Sequence, residues 1–224
     1  MTDWNDEVER VRRLRADRTK VGHGERPAVV VVDFQRAFTE HEHIGPETAV
    51  TLGHAQTLLE AARAAGVPVI YLVMVLDDLD DRMLAQRVRS SLTERCRRGD
   101  PWTEISSAVP AAPTDHVVEK TVASGFYRTR LDDLLAELDV DELVVIGTST
   151  SGCVRATVVD AAYRSFRVSV VEECCDDFRV LSREASLWDM QDRFGDVVSL
   201  EHMLGRFAEL GARAQTAPDA EVVR

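Results

Sequence analysis

The sequence predicts an α/β protein in which a parallel sheet is covered by helices on both faces, a three-layer α/β/α arrangement. Short apolar runs rich in valine and isoleucine alternate along the chain with segments of helical periodicity. Strands buried on both faces form continuous apolar runs of this kind, and parallel strands need helical crossovers between them. The alternation therefore indicates strands joined by helices rather than hairpins.

The individual elements follow from this alternation. The first strand, 28–33, begins after Pro27, a residue that can open a strand but cannot lie inside one. A helix over 48–65 stops at Gly66 and leads to the second strand at 69–75, which completes one βαβ unit. The later segments predict strands 116–119, 143–146, 168–171 and 197–200, and helices 82–98, 129–138, 153–164, 182–192 and 201–210.

Length and composition indicate one soluble globular domain. The 224 residues are 45% hydrophobic and 29% charged, and typical domains have roughly 100–200 residues. We expect a helical arm over 1–24, the domain over 25–211 and a flexible tail over 212–224. The first 18 residues have mixed charge and no apolar segment, so we expect neither a secretory signal nor a transit peptide, and a cytoplasmic location. No apolar run approaches the roughly 20 residues of a membrane span.

The net charge of −12 disfavours nucleic acid and anionic membranes as partners. The four cysteines fit no zinc spacing and no disulfide framework, and we interpret them as reduced thiols.

One of them, Cys153, follows a loop of six small residues, 147–152, between a buried strand and a helix. The N–H groups at a helix start depress the pKa of a thiol and can stabilise an oxyanion, so Cys153 is a candidate nucleophile. A buried, inert cysteine is the alternative.

Two charged residues end strands at the same edge of the predicted sheet. Asp33 ends the first strand and Lys120 follows the third, where the carboxyl ends of parallel strands form the ligand crevice. Taken singly, Asp33 is better explained as a capping or loop carboxylate and Lys120 as a surface charge, but three such groups at three strand ends are less easily explained in this way. None of the six histidines follows a strand closely, so an acid has to serve as the base for a thiol nucleophile.

Three segments resemble the isochorismatase-like cysteine hydrolases. They are AVVVVDFQRAFTE, VVEKTVASGFYRTRL and VVIGTSTSGCVRATVVDAA, and the resemblance covers most of residues 22–200. The loop GTSTSGCVRAT is similar to that of the branch containing N-carbamoylsarcosine amidase and maleamate amidohydrolase. The resemblance implies a six-stranded parallel sheet of order 3-2-1-4-5-6 and a catalytic triad of Asp33, Lys120 and Cys153. It also implies a cis peptide between Thr148 and Ser149, which would aim the N–H groups of Ser149 and Cys153 at the oxyanion.

The residues and the resemblance together predict a cysteine-dependent amidohydrolase. Cys153 would attack a small linear amide or ureido compound, form a thioester-like acyl-enzyme and release ammonia, with no cofactor. Relatives of this family are often dimers or tetramers, so we expect a homodimer or homotetramer. Two alternatives remain open: a vinyl-ether hydrolase of the isochorismatase type that uses Asp33 as an acid, and a noncatalytic redox or binding protein.

We expect no bound metal. Nicotinamidases of the same superfamily bind one with an aspartate and two histidines shortly after the second strand, whereas this chain has four aspartates over 77–81 and no histidine between His54 and His116. A loose metal contact by the segment 41–43 (His-Glu-His) is less probable than an exposed loop.

Substrate recognition depends on residues that depart from the family pattern. Arg128 replaces a glycine, and the arginine that commonly follows Gly-Asp after strand five is lost or shifted to Arg179. Arg128 or Arg179 could bind a substrate carboxylate, or both could be surface side chains. The candidate pocket residues, which core packing would explain equally well, are Phe38, Trp102, Phe126, Tyr127 and Phe178, together with Arg128.

Overall fold

The computed structural model describes residues 4–16, 18–40, 45, 47–76 and 95–216. Six parallel strands form one sheet in the order β3-β2-β1-β4-β5-β6, which confirms the expected fold and strand order. The strands are β1 Pro27–Val32, β2 Val69–Met74, β3 His116–Lys120, β4 Glu142–Gly147, β5 Arg167–Cys175 and β6 Asp196–Val198. Strand order reverses between β1 and β4, and this switch point is where open α/β sheets form a ligand crevice.

The helices of the described residues cover both faces of the sheet. They are α1 Trp4–Ala16, α2 Arg36–Thr39, α3 Thr48–Ala64, α4 Leu131–Glu137, α5 Arg155–Tyr163, α6 Val180–Arg193 and α7 Leu200–Thr216. A 3₁₀ turn lies at Pro101–Thr103 and a π-helical turn at Thr150–Val154.

Alternate strand residues enter two separate cores. Val30 and Val145 face α4, α5 and α6, whose side chains complete one apolar layer. Val31 and Val144 face α3 and α7 on the other side. Because successive side chains of a strand point to opposite faces, continuous valine runs fill both layers at once.

Four predicted element boundaries are wrong. Strand five continues to Cys175, and the last helix continues to Thr216, because Gly211 lies against Ala65, directly after α3, instead of ending the helix. The helix predicted to start at Cys153 begins with the π-helical turn. Residues 95–98 of the predicted helix 82–98 form turns, and the remainder of that helix lies outside the described residues.

The N-terminal helix α1 is tied to α6 by ion pairs. Arg15 is 6% exposed and pairs with Glu184 at 3.3 Å, and Arg12 reaches the same carboxylate at 2.9 Å. These partners hold the pKa of Glu184 below its ordinary value, although burial alone would raise it. Among the described residues, no helix is long and apolar enough to cross a bilayer.

Candidate active site

Asp33 lies directly after β1 at the switch point. It is fully buried, and its N–H donates to the carbonyl of Leu72 at 3.0 Å, which extends the pairing with β2 by one residue. Its backbone then enters the left-handed region with φ 53°, a conformation that aspartate tolerates better than most residues. This turn ends the strand at the carboxyl edge of the sheet.

Lys120 is the last residue of β3, two strands away from β1. Its side chain is fully buried, and Nζ lies 2.8 Å from Oδ2 of Asp33 and 3.3 Å from the carbonyl of Val122. Burial alone would lower the pKa of Lys120, but the charges of Asp33 and of a Cys153 thiolate raise it above its ordinary value. The ammonium group therefore stays charged beside the carboxylate.

Cys153 lies near Asp33 and Lys120, on the other side of the switch point. It belongs to the π-helical turn that follows β4, and its side chain is within hydrogen-bonding reach of both Asp33 and Lys120. Gly147 makes the sharp exit from β4 possible, because its φ is 137° and a Cβ there would overlap the carbonyl of Val32. The structure thus brings the three residues named by the sequence together.

The expected depression of the thiol pKa is wrong. Burial and the charge of Asp33 together raise the pKa of Cys153 to about 12, and Lys120 offsets only part of this effect. Withdrawal of the thiol from water outweighs the favourable helix start. The resting thiol is therefore protonated at neutral pH, and a reaction at this sulfur requires a group that takes its proton.

The turn before Cys153 contains the cis peptide that the resemblance implies, between Thr148 and Ser149. The N–H groups of Thr150 and Gly152 donate to the carbonyls of Asp176 and Ser149, at 2.8 and 3.0 Å. Within the described part of the chain, the N–H of Ser149 has no hydrogen-bond acceptor. It therefore remains available to a ligand.

A small apolar cluster borders Cys153. Phe38 and Trp102 pack against it together with Cys153, and its buried members are Ala37, Met74, Leu76 and Cys96. The buried side chain of Gln35 donates to the carbonyls of Met74 and Trp102 at 3.2 and 3.4 Å. Two of the predicted aromatic residues thus pack against the same cluster as Cys153.

The other predicted pocket residues lie outside this cluster. Phe126 is 4% exposed and stacks on Phe166 in the core, which agrees with the packing alternative. The side chains of Tyr127 and Phe178 are exposed, at 43% and 40%. Arg128 is exposed and lies over the ring of Tyr127.

Sequence reasoning missed three buried polar residues around the site, namely Gln35, Asp176 and Asp177. The two aspartates had a detectable signal, because paired acids directly after a buried strand stand at the same edge as Asp33. Gln35 had no such signal in the sequence, since a single glutamine after a strand is ordinary loop composition.

No group of three or more histidine, cysteine, aspartate or glutamate side chains among the described residues is arranged to hold a metal ion. The acidic stretch 77–81 and the segment 41–43, considered above as weak metal ligands, lie outside the described residues.

Fold and site together define a class: a three-layer α/β protein with a paired ammonium group and carboxylate, and a thiol in reach of both, at the switch point of a parallel sheet. Comparison with known proteins agrees with this class. Residues 27–202 match the isochorismatase domain. The chain therefore belongs to the isochorismatase family, a family of hydrolases, and is an enzyme.

Named relatives include two amidohydrolases. N-carbamoylsarcosine amidase of an Arthrobacter species is 31% identical over 210 residues, covering 91% of this chain and 80% of the relative. Maleamate amidohydrolase of Pseudomonas putida is 31% identical over 194 residues, covering 85% and 91%. A solved cysteine hydrolase from Pseudomonas syringae pv. phaseolicola superposes with a TM-score of 0.80 at 28% identity, covering 87% and 99%.

Proposed function

We propose that this protein is a cysteine-dependent amidohydrolase that cleaves the C–N bond of a small linear amide or ureido compound. The observation that carries the proposal is the buried contact of Lys120 with Asp33 at 2.8 Å, with the Cys153 thiol in reach of both. A thiol beside a base and a cation is the arrangement that nucleophilic catalysis requires. The names of the two amidohydrolase relatives support the same reaction.

In the first half of the reaction, Asp33 takes the proton of the thiol as the sulfur of Cys153 bonds to the substrate carbonyl carbon. This transfer is needed because the thiol pKa is raised to about 12. The electron pair of the C=O π bond moves to the oxygen. The protonated Lys120 stabilises the negative charge that develops on the reacting atoms. Asp33 then gives the proton to the leaving nitrogen, the C–N bond breaks, and ammonia departs from a thioester.

In the second half, water replaces ammonia at the same carbon. Asp33 removes a proton from the water as its oxygen attacks the thioester, and the C–S bond then breaks. The sulfur of Cys153 takes the proton back from Asp33, and the acid product leaves. One carboxylate thus acts as base and acid in both halves, and the enzyme returns to its starting protonation state.

The oxyanion needs donors on the side of the carbonyl away from the leaving group. We propose the N–H groups of Ser149 and Cys153 for this role. The free N–H of Ser149 supports the assignment, since a preorganised donor that meets no acceptor at rest is available when charge develops.

The proposed acyl pocket uses the apolar cluster beside Cys153. Phe38 and Trp102 form its walls, whereas Phe126 is assigned to the core. Arg95 lies with its guanidinium 5.1 Å from the ring centroid of Trp102. This position gives it better access to a substrate carboxylate than Arg128 or Arg179, which are exposed outside the cluster.

The proposed function is tested by ammonia release from a panel of primary amides and ureido acids. Wild-type protein should release ammonia from at least one member, Cys153→Ala should release none, and Asp33→Asn should be slower by about 10²–10⁴-fold. Glu60→Gln, a change at an exposed residue of α3, is the matched control and should keep wild-type rates. Wild-type rates in Cys153→Ala would refute the proposal.

We also propose a cytoplasmic homodimer or homotetramer. The free state of all four cysteines supports a reducing compartment. The exposed apolar side chains of Phe178, Val180 and Leu181, which follow one another closely in the loop and the start of α6, support contact with a second copy. Light scattering at several protein concentrations measures the number of subunits directly.

A further inference from the structure

The loop between β5 and α6 carries a buried carboxylate that the mechanism above does not use. Asp177 is 4% exposed, and its Oδ2 accepts a 2.6 Å hydrogen bond from the backbone N–H of Ser151. Ser151 is the second residue of the π-helical turn that contains Cys153. A buried carboxylate on an N–H at a helix start is a charge-assisted contact, so Asp177 holds this turn two residues before the thiol.

The neighbouring N–H groups of the turn are held differently. That of Thr150 donates to the backbone carbonyl of Asp176, and that of Gly152 to the backbone carbonyl of Ser149. Of these three successive N–H groups, only that of Ser151 is bonded to a side chain. Substitution of Asp177 therefore removes the acceptor of this N–H without changing the sequence of the turn itself.

The loop is anchored at the two residues directly before Asp177. The N–H of Asp176 donates to the carbonyl of Gly147 at 3.1 Å, and its carboxylate accepts from the hydroxyl of Thr48. From α6, Nε of Arg183 donates to the carbonyl of Cys175 at 2.9 Å. These contacts hold Cys175 and Asp176 directly before Asp177, so the carboxylate of Asp177 binds the turn from a constrained backbone position.

We propose that Asp177 is a positioning residue for Cys153. Its carboxylate, acting through Ser151, keeps the sulfur in reach of Asp33 and Lys120 without touching the substrate. A misplacement of about 1 Å at a reacting atom costs roughly 100-fold in rate. The effect on turnover rests on the proposed function, whereas the effect on the placement of the thiol does not.

The test compares Asp177→Ala with Asp177→Asn. Asparagine keeps an acceptor oxygen of the same reach, and alanine removes it. Ala should lower kcat by about 10–100-fold with KM within about threefold, and Asn should restore kcat to within about threefold of wild type. A second readout needs no substrate: the rate at which iodoacetamide alkylates Cys153, followed by intact mass at fixed pH, should fall at least fivefold or so in Ala and recover in Asn. Asp192→Ala, at a carboxylate of α6 on the surface side, is the control and should match wild type in both readouts.

Each outcome decides the proposal. Unchanged kcat and alkylation in Asp177→Ala, or equal losses in Asn and Ala, would overturn it. If Ala does not fold, Asn decides alone, since the proposal requires Asn to fold and to retain both rates. If Asp177→Ala alters the alkylation rate but the wild-type protein hydrolyses no amide, the positioning role stands and the proposed function is rejected.

Discussion

The ammonium group of Lys120 and the carboxylate of Asp33 meet at 2.8 Å across the end of β2, with both side chains fully buried. The two residues are far apart in sequence. Their strands are not neighbours either, because β2 lies between β1 and β3. The fold therefore brings together two charges that are costly to bury alone, and the carboxylate stabilises the charged form of the ammonium group.

This pair predicts a strong stability effect of removing either charge. Lys120→Met leaves the carboxylate of Asp33 buried without its cation, and we expect a loss of about 3–5 kcal/mol in the free energy of unfolding. The double variant Asp33→Asn, Lys120→Met should be more stable than Lys120→Met alone. Urea unfolding measures both values, and a double variant that loses the sum of the single losses would contradict the coupling.

The raised pKa of the thiol predicts how its reactivity depends on pH. With a pKa near 12, the thiolate fraction of Cys153 rises about tenfold per pH unit between pH 7 and 9.5. Alkylation by iodoacetamide, followed at Cys153 by peptide mass spectrometry, should rise across this range without levelling off. A plateau beginning near pH 7 would show a depressed pKa instead.

Two aromatic residues that look alike in sequence should behave differently in substrate binding. Trp102 packs in the cluster beside Cys153, whereas Tyr127 is 43% exposed outside it. Trp102→Ala should raise KM about tenfold or more, since it removes an apolar wall, and Tyr127→Ala should stay within about twofold. Steady-state kinetics on the same substrate compares them, and equal effects would contradict the assigned pocket.

A pair of histidines far from this site predicts a pH dependence of stability. Nε2 of His23 lies 2.8 Å from Nε2 of His202, and burial together with the charges of His23, Lys20 and Arg206 lowers the pKa of His202, which Asp196 only partly offsets. Because the folded pKa is below the unfolded one, the unfolded state binds more protons, and stability falls as pH drops through the unfolded value of about 6.5.

The measurement is the thermal midpoint between pH 7.5 and 5.5. His202→Gln should lose less stability over this range than wild type. His116→Gln, at a histidine on β3 outside this pair, is the control and should follow the wild-type curve. A wild-type midpoint that rises on acidification would contradict the sign.

The fold was predictable because its signals are local and repeated. Valine runs such as 28–32 fit only strands buried on both faces, and the crossover rule then leaves few arrangements. Boundaries such as the end of α7 depend on tertiary contacts, here Gly211 against Ala65, which a local stop signal does not reveal.

The meeting of Asp33, Lys120 and Cys153 was predictable, but the electrostatics of the thiol were not. Asp33 and Lys120 stand at strand ends, which sequence periodicity locates, and Cys153 follows the loop after β4. The thiol pKa depends on how much water the folded chain removes from the sulfur, and that quantity has no sequence signature. For the same reason, the core position of Phe126 and the position of Trp102 against the cluster that Cys153 borders could not be told apart beforehand.

The central claim is that Cys153 forms a covalent acyl intermediate. Intact-protein mass spectrometry after rapid acid quenching, with a substrate found in the amide panel, tests it most directly. The account predicts an adduct with the mass of the acyl group on wild-type protein, located at Cys153 by peptide mapping and absent from Cys153→Ala. Asp33→Asn, which lacks the base, should form it more slowly. Turnover with no adduct at any quench time, combined with an active Cys153→Ala variant, would contradict the account.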